Sequence, residues 1–135
     1  MPYDLLLKGG EVIDPGWPFH QQADVAITKG KIAAVLPEIV ATEAVRVLDV
    51  SGKIVCPGLI DIHAHVFINA HDMGPKTDER CSMSGVTTIV DAGSSGSATF
   101  PGLRQYVADQ CQVRLRCFVH LSALGLIHLQ VGELM

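Results

Sequence analysis

The strongest constraint on the fold is a change in sequence rhythm after Pro57-Gly58. Before it, short apolar and β-branched runs alternate with turn pairs such as Gly9-Gly10 and Lys29-Gly30. Frequent turn residues of this kind are typical of short strands joined by tight turns. We predict separate strands over 3–8 and 11–13, and a hairpin in which Gly30 supplies the turn position with positive φ.

After the change, longer β-runs at 59–66, 86–91 and 114–121 are separated by stretches that favour helices. Thr77 is predicted to cap a short helix over 77–84 that ends at Gly85. The next helix should bury one face, which carries Leu103, Tyr106, Val107 and Cys111. Alternating strands and helices predict a parallel sheet with helices packed on it.

Chain length limits how much of such a domain is present. A closed (β/α)₈ barrel takes about 250 residues, whereas residues 57–135 supply 79. The predicted fold class is therefore α/β, with a small β-sandwich domain at 1–56. Residues 57–135 are expected to form about three βα units of an incomplete (β/α)₈ TIM barrel. We expect the sequence to be a cut portion of a longer protein.

Composition narrows the function. The chain has 10 basic and 14 acidic side chains without blocks, for a net charge of −4, which argues against binding of nucleic acid or an anionic membrane. The run of three leucines near the start is too short for a secretory signal, so a cytoplasmic protein is expected. Four cysteines form no CxxC pair, which favours buried free thiols over a zinc ribbon or disulfides.

The segment PGLIDIHAH at 57–65 carries the most chemistry. Because strand side chains alternate, Asp61, His63 and His65 should share one face, while Ile60 and Ile62 should offer an apolar surface to covering helices. Two imidazoles at the C-terminal end of a strand suit a transition metal. By itself the pair also fits two ordinary, partly buried histidines.

This segment, together with the preceding β-rich part and GVTTIVDAGSSGS at 85–97, resembles the amidohydrolase superfamily, and most closely its dihydroorotase-like deacetylases. The resemblance implies hydrolysis of a C–N bond in an amide, an N-acyl group or a cyclic amide. It also implies that His63 and His65 bind a divalent metal, with zinc as the default and one or two ions in the intact enzyme.

The resemblance further implies residues that this chain does not contain. Relatives with two metals use a carboxylated lysine from the fourth strand, two later histidines and a late aspartate as general base. Every lysine here lies at position 76 or earlier, so no bridging lysine is available. We therefore expect this polypeptide alone to lack turnover, and the general base to lie beyond residue 135.

Four further side chains are candidates for supporting or substrate-binding roles. Asp61 is expected to make a supporting hydrogen bond or to be structural, and Asp91 to cap its loop or to orient a ligand. His71 would lie in a loop over the barrel mouth, either near substrate or simply exposed. His120 would end the third strand at the site, where relatives often carry asparagine. The serines of the Gly-Ser loop at 93–97 could bind substrate or merely turn the chain.

Three functional readings remain. A metal-dependent deacetylase acting on a small amide or N-acyl substrate is preferred, and the intact protein is expected to be a homo-oligomer. A cyclic amidohydrolase of the dihydroorotase or hydantoinase type is the alternative among enzymes. The alternative from another class is a non-catalytic fragment or split subunit that acts as an assembly module.

Overall fold

A computed structural model describes residues 2–70, 74 and 76–126. The chain forms two compact units, Met1–Pro57 and Gly58–Met135. The first contains strands only, apart from one 3₁₀ turn, and the second alternates strands with helices. The α/β fold class is confirmed. In the described ranges, no helix has both the length and the apolar character needed to cross a lipid bilayer.

The first unit is one mixed five-stranded sheet. Its strands are β1 (Tyr3–Asp14), β2 (Phe19–Thr28), β3 (Lys31–Leu36), β4 (Ala44–Asp49) and β5 (Ile54–Val55). The sheet order is β3-β2-β1-β4, and β5 also pairs with β1. Strand β1 pairs antiparallel with β2 and parallel with β4 and β5.

The hairpin between β2 and β3 is confirmed. Both turn residues have positive φ, 51° at Lys29 and 70° at Gly30, as a two-residue type I′ turn requires. The prediction of two strands around Gly9-Gly10 was wrong, because β1 is continuous. The pairing of β1 with β2 shifts register between Leu7 and Gly10, and Gly9 has a φ of 77°. A glycine in the left-handed region lets a strand absorb an extra residue as a bulge.

A partly buried ion pair next to this bulge was not foreseen. Asp24, 2% exposed, accepts hydrogen bonds from Lys8 Nζ at 2.9 Å, Gly9 N at 2.7 Å and Ile39 N at 2.8 Å. Burial opposes the charge, but Lys8 and the two amides outweigh it, so the pKa of Asp24 is lowered. The same hydrogen bond raises the pKa of Lys8. Asp24 therefore joins β2 to the bulge of β1 and to the segment after β3.

The second unit contains a three-stranded parallel sheet whose strands, in sheet order, are β6 (Leu59–Ala64), β7 (Val86–Gly96) and β8 (Arg114–His120). The predicted helix over 77–84 is confirmed, and Gly85 ends it with a φ of 71°. Thr77, however, is its first residue, and Lys76 occupies the capping position without a side-chain hydrogen bond. Helix α1 spans Thr77–Ser84, and helix α2 spans Phe100–Tyr106.

One apolar core lies between this sheet and its helices. Its buried residues are Val66, Cys81, Ile89, Leu103 and Val107. The prediction that Tyr106 shares this face was wrong, since Tyr106 is 70% exposed. Helix α2 ends at Tyr106, and Val107 leaves helical geometry with φ −123° and ψ −63°. The helical period that placed Tyr106 and Cys111 on one face is therefore interrupted.

The cysteines in the described residues are free thiols, as expected, but they are not all buried. Cys81 is buried, Cys111 and Cys117 are half-buried, and Cys56 is exposed. Burial raises the pKa of all three thiols in the second unit, and nearby carboxylates add to the effect. A raised pKa leaves little thiolate near neutral pH, so these three groups are weak nucleophiles.

Candidate metal centre

Two imidazoles lie together at the C-terminal end of β6. The ring centroids of His63 and His65 are 5.5 Å apart, and the ring planes meet at 78°. His63 is exposed and His65 is half-buried. Carboxyl ends of parallel strands are where α/β proteins bind their ligands, so the structure places both histidines at the edge of the sheet that the sequence indicates.

Asp61 does not follow the expected alternation. It pairs with Ile89, a core residue, and its charge helps raise the pKa of Cys81 on the helix side of the sheet. The register of β6 against β7 shifts between Asp61 and Ala64, which separates the face of Asp61 from that of the histidines. Its Oδ1 accepts a hydrogen bond from the backbone N of His63 at 3.0 Å.

The expectation that Ile60 and Ile62 face covering helices was wrong, because the register of β6 shifts after Asp61. Ile60 is 62% exposed and Ile62 is 75% exposed, so helices of the described chain do not cover them. Side chains that face the helices are instead Ala64 and Val66, which pack in the core of the second unit. Ile60 and Ile62 are therefore open to solvent in the part of the chain that the structure describes.

His65 contacts the neighbouring strand. Its Nδ1 lies 3.2 Å from Oγ of Ser94, which is fully buried on β7. A ligand histidine is typically held by a hydrogen bond at the ring nitrogen that does not bind the metal. Sequence reasoning placed Ser94 only in a loop that could bind substrate or turn the chain, because its spacing of 29 residues from His65 shows no local pattern.

The Asp91 carboxylate accepts hydrogen bonds from three backbone N–H groups. The side chain is completely buried. Oδ2 accepts from Val66 N at 2.9 Å, and Oδ1 accepts from Gly93 N at 3.0 Å and Ser94 N at 2.7 Å. One carboxyl group thus ties the end of β6 to the end of β7. These contacts are those of a residue that shapes the site.

His120 ends β8 at the same edge of the sheet. Its Nδ1 accepts a hydrogen bond from Ser122 N at 2.9 Å. A Cβ atom on Gly93 would lie 3.5 Å from Cδ2 of His120, so the ring stands over the glycine beside Ser94. His120 is therefore near the His65 and Ser94 pair. His71 lies outside the described residues.

The donor set fits a divalent metal in part. Neutral imidazoles are good ligands for zinc and its neighbours, but a stable catalytic site takes at least three protein ligands. Over residues 2–70, 74 and 76–126, no group of three or more histidine, cysteine, aspartate or glutamate side chains is placed to hold an ion. His63 and His65 would thus supply part of a ligand set.

Comparison with known proteins identifies the class. No protein-family model matches the chain. It is 37% identical over 98 residues to a deacetylase of Agrobacterium fabrum and 34% identical over 111 residues to a deacetylase of Brucella anthropi. These alignments cover 73% and 80% of this chain, which spans about a quarter of those relatives, 24% and 28% of their lengths.

Solved structures of hydrolases of C–N bonds are also similar to this chain. A dihydroorotase superimposes with a TM-score of 0.75 at 29% identity, over 92% of this chain and 32% of that protein. A D-aminoacylase described by its binuclear metal centre superimposes with a TM-score of 0.56 at 36% identity, over 72% of this chain and 20% of that protein. A zinc complex of N-acyl-D-glutamate deacylase from Bordetella bronchiseptica superimposes with a TM-score of 0.57 at 26% identity, over 88% of this chain and 30% of that protein. The chain belongs to the amidohydrolase superfamily.

Proposed function

We propose that the protein containing this chain is a metal-dependent hydrolase of C–N bonds in small amide or N-acyl compounds, and that His63 and His65 bind its metal. The observation that carries the proposal is the pairing of two imidazoles at the C-terminal end of β6, with Nδ1 of His65 already engaged by Ser94. The two deacetylases and the D-aminoacylase among its relatives support this substrate class.

When bound, a divalent metal supplies hydroxide near neutral pH and polarises the substrate carbonyl. The described residues contribute to this chemistry by binding and orientation. His63 and His65 would donate imidazole nitrogens, and Asp91 would keep the two strand ends together. The general base and remaining ligands would come from residues after 135, as the family resemblance implies. Zinc is the preferred metal, because a related deacylase holds it.

A cyclic amide is the second candidate substrate. The dihydroorotase superimposes better on this chain than either acyl-amino-acid hydrolase does. Ring-opening of a cyclic amide and removal of an acyl group share attack on an amide carbonyl, so the same metal strand would serve both. Discrimination between cyclic amides and N-acyl substrates would depend on the loops that follow later strands.

The remaining architecture is part of the proposal. In the whole protein, residues 1–56 would belong to a β-sandwich domain, and residues 57–135 would begin a (β/α)₈ barrel that later strands close. Homo-oligomerisation, a cytoplasmic location and the lack of nucleic-acid or membrane partners stay predictions. So does the alternative that this chain is a non-catalytic assembly module.

The test uses the longer protein that carries this chain, loaded with zinc. We expect hydrolysis of N-acetyl amino acids or, for the second candidate, of dihydroorotate. His63→Ala combined with His65→Ala should reduce turnover to the uncatalysed background, whereas His20→Ala, a substitution of an exposed histidine paired with Glu11, should not. Full turnover in the double variant would contradict the assignment.

The 135-residue chain is the second arm. With zinc added, it should show no turnover of these substrates, because the described residues lack a third ligand group. Measurable hydrolysis by the chain alone, lost in the His63 and His65 double variant, would show that the site needs nothing further.

A further inference from the structure

We propose that Ser94 is a positioning residue that holds His65 as the Nδ1–H tautomer, so that His65 would bind a metal through Nε2. The inference deepens the proposed function and rests on it for the role of His65. Its starting point is the distance of 3.2 Å between His65 Nδ1 and Ser94 Oγ. Ser94 has no exposed surface, so this contact is shielded from solvent on the serine side.

The serine is itself held in place. Its backbone N donates to Asp91 Oδ1 at 2.7 Å, and its backbone O accepts from Leu126 N at 3.1 Å. On the other strand, Val66 N, next to His65 in the chain, donates to Asp91 Oδ2 at 2.9 Å. Both ends of the His65–Ser94 contact are therefore anchored to one buried carboxyl group, which limits how far the two side chains can separate.

This geometry selects a tautomer. A neutral imidazole carries one N–H and one acceptor nitrogen, and the hydrogen bond at one nitrogen decides which is which. If Nδ1–H donates to Ser94 Oγ, the lone pair is on Nε2, as metal binding there requires. If Ser94 Oγ–H donated to Nδ1 instead, Nε2 would carry the proton and could not bind a metal. The proposal thus predicts a tautomer that can be measured without any metal.

Ser95 provides a matched control. It follows Ser94 directly and is equally buried, but its Oγ has no hydrogen-bond partner in the part of the chain that the structure describes. Ser95→Ala removes the same atom as Ser94→Ala does, from an equally buried position on the same strand. The two variants therefore differ in whether the removed hydroxyl contacts His65.

The experiment measures the ¹⁵N shifts of His65 in the metal-free 135-residue chain, at an alkaline pH where these shifts no longer change with pH, with His65→Ala to assign the signals. We expect protonated Nδ1 and unprotonated Nε2 in the unmodified chain and in Ser95→Ala. Ser94→Ala should give a mixture that includes the Nε2–H form. A dominant Nε2–H tautomer in the unmodified chain would overturn the proposal.

Calorimetric titration with ZnCl₂ is the second readout. Loss of a partner that orients a metal-binding histidine typically weakens metal affinity about 10- to 100-fold, so we expect that loss in Ser94→Ala and none in Ser95→Ala. Equal affinities in these two variants would also overturn the proposal. If zinc binding is unchanged by His65→Ala, the proposed metal site is wrong, while the tautomer measurement still decides what Ser94 does.

Discussion

The substitution Asp91→Asn tests how the two strand ends are held together. Asparagine keeps the shape of the side chain, and its Oδ1 can still accept from Gly93 N and Ser94 N. Its amide group would then face Val66 N, which now donates to Asp91 Oδ2 at 2.9 Å. Two donors would oppose each other in a site where the side chain has no exposed surface, so the Val66 amide would lose its partner.

The size of the effect follows from that single loss. An unsatisfied buried donor costs about 1–3 kcal/mol. At about 1.4 kcal/mol for each factor of ten, this corresponds to an equilibrium constant for local opening that is about 5- to 140-fold larger. Asp91→Ala removes three acceptor contacts and should cost more, about 3–9 kcal/mol as an upper range, comparable with the whole stability of a small domain. The asparagine variant is therefore the more informative one.

Amide hydrogen exchange at Val66 is the assay, because it reports opening at the contact itself. Urea unfolding followed by circular dichroism gives the accompanying global change. Asp109→Asn is the matched control, since Asp109 is exposed and lies 3.9 Å from Arg104 in a pair that solvent screens. If Asp91→Asn exchanges at Val66 and unfolds in urea as the control does, the account of Asp91 as the link between the two strand ends is refuted.

Two further predictions concern titrating groups. Because the pKa of Asp24 is lowered on folding, the folded chain binds fewer protons in acid, so stability should fall as pH drops below about 4. In Asp24→Asn, urea unfolding followed by circular dichroism should show lower stability at pH 7 and a flatter acid dependence; an unchanged acid profile would contradict this. A thiol reagent at about pH 8 should modify exposed Cys56 first and Cys81 only as fast as the chain unfolds, because burial raises the pKa of Cys81. Mass spectrometry that found equal labelling of both thiols in the native chain would show that Cys81 is accessible.

Local signals in the sequence were sufficient for much of the fold. Lys29-Gly30 specified its hairpin because a two-residue turn needs positive φ, and Gly85 ended α1 for a related reason. The division of the chain into domains near Pro57-Gly58 stays a prediction, although the boundary between its two compact units also lies between these residues. Each of these features depends on residues close together in the chain.

The errors arose where distant residues decide the structure. Strict alternation placed Asp61 with the histidines, but pairing with β7 introduces a register shift after Asp61. The Lys8 and Asp24 pair, 16 residues apart, likewise appears only once β1 and β2 align. The hydrogen bond from Val66 N to Asp91 and the contact between His65 and Ser94 likewise join residues 25 and 29 positions apart, whereas the bonds of Asp91 to Gly93 N and Ser94 N are local, as expected for a residue that caps its loop.

The central claim is that His63 and His65 bind a metal, and zinc content measures it most directly. The longer protein that we propose carries this chain would be loaded with zinc, dialysed and analysed by mass spectrometry for metal per chain, beside the His63→Ala and His65→Ala double variant and the His20→Ala control. We predict zinc in the unmodified protein and the control, and its loss from the double variant. Equal zinc content in all three proteins would contradict the account.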